Sequence, residues 1–193
     1  MPESRFHFVI PTYKRPRLIQ RCIRSIYTYV PSNHLGMIVV INQSDYPISD
    51  AIELKMEPGW PGPRRRTGAE YILNYQVPDT DLFCFLDDDI QLNNTFTANC
   101  NRLINLALQR NIGCIQLAWR QLKPGIVPIK LGFTGGGIVV QVFKYKAFGG
   151  YGNDYLDDVE LFLRSYIAGF QNYRFNDICS RHSRDWMSYI RSG

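Results

Sequence analysis

Five apolar residues, Leu82-Phe83-Cys84-Phe85-Leu86, run straight into three aspartates, Asp87-Asp88-Asp89. A short apolar run rich in aromatics is the pattern of a buried strand. Three adjacent carboxylates at its end repel one another unless a cation lies among them. The strand therefore sits in the interior, and its carboxyl end opens onto solvent or a bound cation. Few architectures meet that demand as directly as an open sheet with its strand ends along one edge.

The rest of the chain alternates in the same sense. Phe6-His7-Phe8-Val9-Ile10 reads as a strand halted by Pro11, and Met37-Ile38-Val39-Val40-Ile41 as a second one, running into the polar turn Asn42-Gln43-Ser44-Asp45. Between them Leu18, Ile19, Cys22, Ile23, Ile26, Tyr27 and Val30 form a helical stripe closed by Pro31. A weak helix is expected near residues 48–56, then a breaker-rich loop from Pro58 to Pro63, then a helix from about Arg65 to Tyr75. Asn94 is the expected N-cap of a long helix reaching Gln109, followed by a strand from Cys114 to Trp119. Two glycine-bearing stretches, Gly132 to Gly137 and Gly149 to Gly152, flank an apolar strand from Ile138 to Phe143. A helix from about Leu156 to Ile167 is expected to bury Val159, Phe162, Leu163 and Tyr166, with Gly169 as its cap. Alternating strands and helices predict an α/β domain with a mainly parallel central sheet flanked by helices. Ligands in such sheets bind beyond the carboxyl ends of the strands.

The 193 residues fit one domain, and 45% hydrophobic with 20% charged residues excludes a disordered chain. No apolar stretch is long enough to span a bilayer, and the N-terminus lacks the shape of a signal peptide. The five cysteines are scattered and form no CxxC pair, which argues against a disulfide framework or a zinc site and makes a reducing cytoplasm the expected setting. A formal charge of +5 suits a polyanionic partner, and equally an ordinary basic surface.

Three clusters bear chemistry. Hard divalent ions such as Mn²⁺ or Mg²⁺ take oxygen ligands and bridge carboxylates to substrate phosphates, the functional reading of Asp87, Asp88 and Asp89; an exposed acidic turn is the bland one. Asp157-Asp158 and Glu160 open a helix, where carboxylates are favoured by the macrodipole, so capping competes with a role as general base. Arg64-Arg65-Arg66 lies between a Pro/Gly loop and a helix start and suits a pyrophosphate or nucleic-acid phosphate, unless it is a solvated charge run.

These segments, in this order, resemble the GT-A glycosyltransferases. Phe8 to Pro16 is similar to their opening strand and loop, Leu86 to Ile90 to their DxD element, and Gly149 through Asp157-Asp158-Val159-Glu160-Leu161 to their glycine loop and acidic helix. The resemblance implies a single GT-A, Rossmann-like domain over residues 1–193, with a nucleotide-binding half at 1–90 and an acceptor and catalytic half at 91–193. It implies a nucleotide-sugar pocket lined by Pro11, Thr12, Tyr13 and Arg15, with Asn42 and Asp45 toward base or ribose. Asp87 would face ribose and sugar, Asp89 would hold the metal, and Asp88 would serve one or the other. Arg65, Arg66, Gly136 and Gly150 complete the donor site. Asp158 matches the catalytic base of inverting members and Asp157 the acid before it, where glutamate is usual. Arg181-His182-Ser183-Arg184-Asp185 resembles the β-1,4-galactosyltransferase segment whose histidine completes the metal site, a role that falls to His182.

The implied reaction is a metal-dependent direct displacement from a nucleotide sugar, UDP-linked by preference. For the acceptor, Ile10 to Pro16, Arg66 to Leu73 and Asp87 to Ile90 resemble the small phage-type DNA-modifying glycosyltransferases. That points to a 5-hydroxymethylpyrimidine of double-stranded DNA, for which a bacteriophage enzyme would act in the host cytoplasm. A saccharide or glycan acceptor is the alternative. A basic nucleic-acid-binding domain with a structural cation, and a nucleotidyltransferase or phosphohydrolase, are readings from other classes.

Overall fold

The computed structural model describes residues 4–118, 125–130, 137–152, 157–177 and 180–182. Eight strands form one sheet in the order β3-β2-β1-β4-β8-β6-β9-β7, with β1 at Phe6–Thr12, β2 at Leu35–Asn42, β3 at Ile52–Lys55 and β4 at Leu82–Phe85. Of the remainder, β6 is Ile112–Leu117, β7 Ile126–Ile129, β8 Gly137–Gln141 and β9 Gln171–Phe175. The strands β8 and β7 run against the other six, so the sheet is mainly parallel, as expected. Two short strands, β5 (Ile90–Leu92) and β10 (Ser180–His182), pair separately as an antiparallel ribbon. Among the described residues no helix is long and apolar enough to cross a membrane.

Side chains alternate across the sheet with the period of two that a strand imposes. On β1, Phe6, Phe8 and Ile10 face a core shared with helices α1 (Pro16–Tyr29) and α3 (Asn94–Ala107), while Val9 faces the other layer. On β4, Leu82 and Cys84 join the first layer, Phe83 and Phe85 the second. The second layer is covered by α2 (Pro61–Leu73), α4 (Val142–Ala147) and α5 (Asp157–Ile167). Helix α2 lies close to the sheet because Gly68 has no side chain: a Cβ there would come 2.5 Å from Val9 Cγ1.

Several elements differ from the expected ones. Residues 52–55 form the edge strand β3, parallel to β2, instead of a weak helix. The alternation Ile52-Glu53-Leu54-Lys55 suits a strand, and pairing with β2 overrides the helix propensity of the segment. Helix α2 begins at Pro61, inside the expected breaker loop, because proline is tolerated in a first helical turn. The cap of α3 is Asn93, whose side chain accepts a hydrogen bond from the Thr95 amide at 2.9 Å, so Asn94 is the first helical residue. The apolar stretch after Gln141 turns into α4 rather than extending the strand. Helix α5 buries Asp158, Leu161, Phe162 and Ser165, a stripe at i, i+3, i+4 and i+7, and leaves Leu163 and Tyr166 exposed. Gly169 follows it at φ +88°, the left-handed conformation in which glycine is unstrained.

Candidate active site

The triplet occupies the turn between β4 and β5, closed by a hydrogen bond from the Ile90 amide to the Asp87 carbonyl at 3.1 Å. The loop after β1 crosses the same end of the sheet. Thr12 Oγ1 donates to Asp88 Oδ2 at 2.8 Å, and Arg15 Nη1 lies 3.1 Å from Asp88 Oδ1 and 3.6 Å from Asp89 Oδ2. Tyr46 fixes this loop from the β2 side, its hydroxyl accepting from the Arg15 amide at 3.0 Å. Asp88 and Asp89 are buried. Burial pushes the Asp88 carboxyl up to about 6 despite the opposing pull of Thr12 and Arg15. Arg15 is held above its ordinary value: burial lowers it, but Asp88 first and then its two neighbours outweigh that.

Arg65 ties the triplet to helix α5. Its Nη1 donates to Asp158 Oδ1 at 2.9 Å and its Nη2 donates to Asp87 Oδ1. Tyr151, fully buried after the glycine loop, donates its hydroxyl to the same Asp158 oxygen at 3.2 Å, and its ring lies 5.7 Å from the Arg65 guanidinium. Four carboxylates, Asp87, Asp88, Asp89 and Asp158, thus contact the guanidiniums of Arg15 and Arg65.

A cleft of about 380 Å³ opens over this cluster, lined by Pro11, Thr12, Tyr13, Lys14, Arg15, Gln43, Gly59, Pro61, Arg64 and the three aspartates. A larger cavity of about 760 Å³ adjoins it and shares Tyr13, Lys14 and Gln43. Asn42, Asp45, Tyr46, Lys55 and Glu57 are on its walls. Asn42 is fully buried and holds the loop, donating to the Tyr46 carbonyl at 2.7 Å and to Glu53 at 2.6 Å. Asp45 is exposed at the cavity wall.

The expected site residues thus divide. Pro11, Thr12, Tyr13, Arg15, Asp87, Asp88 and Asp89 meet in one cleft, with Asn42 and Asp45 next door and Arg65 and Asp158 beneath. Arg66 is not among them: it points outward and pairs with Glu70 at 2.8 Å, one turn on. Gly150 is a turn residue at φ +63°, packed against the Tyr145 ring rather than against the cleft. His182 lies in β10 with its backbone opposite Ile90, one residue beyond Asp89; its side chain, the side chain of Asp157, and all of Gly136 lie outside the described residues. Lys14, Gln43 and Tyr151 were given no role at the site from the sequence, and Arg64 was read only as one member of the run Arg64-Arg65-Arg66 suited to a phosphate. The phase of α2 carried the signal for Arg64 and Arg65, which precede the buried Gly68 and Ala69 by one turn each.

The donor set suits a hard divalent ion: adjacent carboxylate oxygens, with Asp88 and Asp89 buried and Asp87 partly exposed at the cleft. Among the described residues no three His, Cys, Asp or Glu side chains converge on one point. Ions of the magnesium kind use one or two carboxylates together with substrate phosphates rather than a protein cage.

No family model matches the sequence, and no curated protein does. Solved structures share the fold. GalNAc-T7 with UDP, GalNAc and Mn2+ superposes with a TM-score of 0.73 at 13% identity, over 93% of this chain and 44% of that one. The mannosyltransferase PcManGT from Pyrobaculum calidifontis, in complex with GDP-Man and Mn2+, gives 0.70 at 14%, over 97% and 61%. S. aureus TarS 1-349 in complex with UDP-GlcNAc gives 0.68 at 12%, over 94% and 59%. The chain spans about half the length of these structures, and its fold is that of the GT-A glycosyltransferases.

Proposed function

We propose that this chain is a metal-dependent, inverting glycosyltransferase that moves a sugar from a nucleotide-sugar donor, UDP-linked by preference, to an acceptor hydroxyl. The observation that carries the reading is the cleft at the end of β4, where three carboxylates face Lys14, Arg15 and Arg64 beside a cavity of about 760 Å³. A sheet with this order, and ligands beyond its carboxyl ends, gives a nucleotide diphosphate both a base cavity and an acidic, cation-demanding floor.

The nucleotide belongs to the half at 1–90 and the acceptor to the half at 91–193. Asp89 and Asp87, with His182 from the strand opposite Ile90, would hold the ion. Bound Mn2+ or Mg2+ would supply charge neutralisation for the departing diphosphate. Asp158 is the base in this reading, with Asp157 before it. The acceptor oxygen bonds to the anomeric carbon, the bond from that carbon to the phosphate oxygen breaks, and the hydroxyl proton passes to Asp158. Arg65 and Tyr151 both donate to one oxygen of that carboxylate and so orient the group. Asp158→Asn should retain donor binding and lose transfer; undiminished transfer would remove Asp158 from the role.

For the acceptor we propose a 5-hydroxymethylpyrimidine of DNA, whose hydroxyl projects where the thymine methyl sits in the major groove. Support comes from helix α1, which starts at the cleft, carries Arg17, Arg21 and Arg24 on its exposed side and contains no acidic residue. Incubating the protein with Mn2+, mixed nucleotide sugars and 5-hydroxymethylcytosine DNA should add a hexose-sized mass to the DNA. Transfer to a saccharide with no mass added to DNA would replace this acceptor, and the absence of donor turnover with any acceptor would remove the enzyme assignment.

A further inference from the structure

Three consecutive arginines meet three different surroundings. Arg65 has two carboxylates, and Arg66 has Glu70 at the surface. Arg64 is only 3% exposed, and among the described residues its guanidinium has no carboxylate partner. Its Nη1 and Nη2 donate to the peptide carbonyls of Gly59 and Glu57, and its Nε has no acceptor. Arg64 nevertheless lines the cleft that the aspartate triplet also lines.

A buried guanidinium satisfied only in part, and only by neutral carbonyls, lacks the counter-charge that makes such burial favourable. Burial accordingly pulls Arg64 below its ordinary value, with no charge opposing the shift. An anion entering the cleft would provide the missing partner. The planar fork of arginine matches phosphate oxygens in a way a compact ammonium does not.

We propose that Arg64 is a phosphate-binding residue of the cleft, its guanidinium taking an oxygen of the donor diphosphate across from the aspartates. The proposal rests on the nucleotide-sugar reading above. The same side chain holds the loop of Glu57 and Gly59, and Glu57 also walls the larger cavity, so one residue joins the diphosphate position to the base position. Gly59 leaves room for this head group, since a Cβ there would lie 3.0 Å from Arg64 Nη2.

Titration calorimetry of the full chain with UDP and GDP in Mn2+, and with uridine and guanosine, tests the assignment in wild type, Arg64→Ala and Arg64→Lys. Loss of a charge-assisted hydrogen bond should weaken diphosphate binding about 10- to 100-fold in Arg64→Ala. Arg64→Lys should recover part of the loss, and nucleoside binding should stay within about twofold. Equal diphosphate affinity in wild type and Arg64→Ala would overturn the proposal. So would a parallel loss of nucleoside binding, which would mean that Arg64 only clamps the loop. If Arg64→Ala does not fold, Arg64→Lys and Arg64→Gln give the same comparison, with Gln expected to be the weaker binder. A wild-type chain that binds neither diphosphate would instead remove the nucleotide-sugar reading, and this inference with it.

Discussion

Replacing Arg65 by methionine keeps the length of the side chain and removes the charge that joins Asp87 to Asp158. The Arg65 and Asp158 side chains are 5% and 7% exposed, while Asp87 is 31% exposed, so the two arms of the bridge differ in worth. Opposite charges about 4 Å apart attract by about 4 kcal/mol at an effective dielectric of 20. Removing one member of a buried pair costs about 3–5 kcal/mol, since the other charge stays buried without its counter-charge. Asp158→Asn costs less, about 1–3 kcal/mol, because Arg65 keeps Asp87 as a partner. The double variant Arg65→Met/Asp158→Asn leaves no buried carboxylate at position 158, and its destabilisation should fall short of the sum of the single ones by about 2 kcal/mol or more. Urea unfolding followed by circular dichroism measures the cycle, and the melting temperature of Arg65→Met should drop by about 6–20 °C for a chain of this size. A single variant within about 1 kcal/mol of wild type, or a strictly additive cycle, would refute the bridge as a stabilising element.

Lys144 is buried with its Nζ donating to the Ala107 and Gln109 carbonyls at 2.6 Å each, and burial pulls it down to about 8. Lys144→Met removes a donor from both carbonyls, of which Gln109 keeps the Ile112 amide at 3.1 Å, and should cost about 1–3 kcal/mol. Between pH 8 and the ordinary lysine value the unfolded chain binds more protons at this group than the folded one, so the group's contribution to stability rises with pH there. The stability gap between wild type and Lys144→Met should therefore widen from pH 8 to pH 10 in chemical denaturation, and a narrowing gap would contradict the assignment. Gly68→Ala gains about 1 kcal/mol of helix propensity but forces a methyl into Val9, for a net loss on the order of 1–2 kcal/mol; a raised melting temperature would show that α2 can move off the sheet. Mn2+ with UDP should raise the melting temperature of wild type in a way that Asp89→Asn abolishes, and equal shifts in the two proteins would remove Asp89 from the ion.

The central strands were legible because β1, β2 and β4 are short apolar runs that stop at polar clusters, and burial on both faces demands that pattern. The edges were not. β3 alternates apolar with charged residues over four positions, and β9 carries Gln171, Asn172 and Arg174, so neither stands out from a loop or a weak helix. In α5 the apolar residues occupy two sides of the helix, and only the neighbouring elements decide that Leu161 and Phe162 go inward. The triplet announced an acidic strand end, but its division of labour depends on partners distant in sequence: Thr12 and Arg15 for Asp88, Arg65 for Asp87. The arginine run could not be sorted without the phase of α2, which Pro61 sets by opening the helix earlier than its glycines and prolines suggest.

The ribbon of β5 and β10 has a consequence for how the protein is made. Its two strands are half the chain apart in sequence, and β5 begins at the residue after Asp89. During synthesis β1, β2 and β4 emerge early and can begin to pair, whereas β5 waits for its partner until residues 180–182 leave the ribosome. Ion affinity in a nascent chain should therefore appear as a late, abrupt event rather than grow with the sheet. A stalled chain that ends before residue 180 would hold the aspartates but lack the strand that borders them.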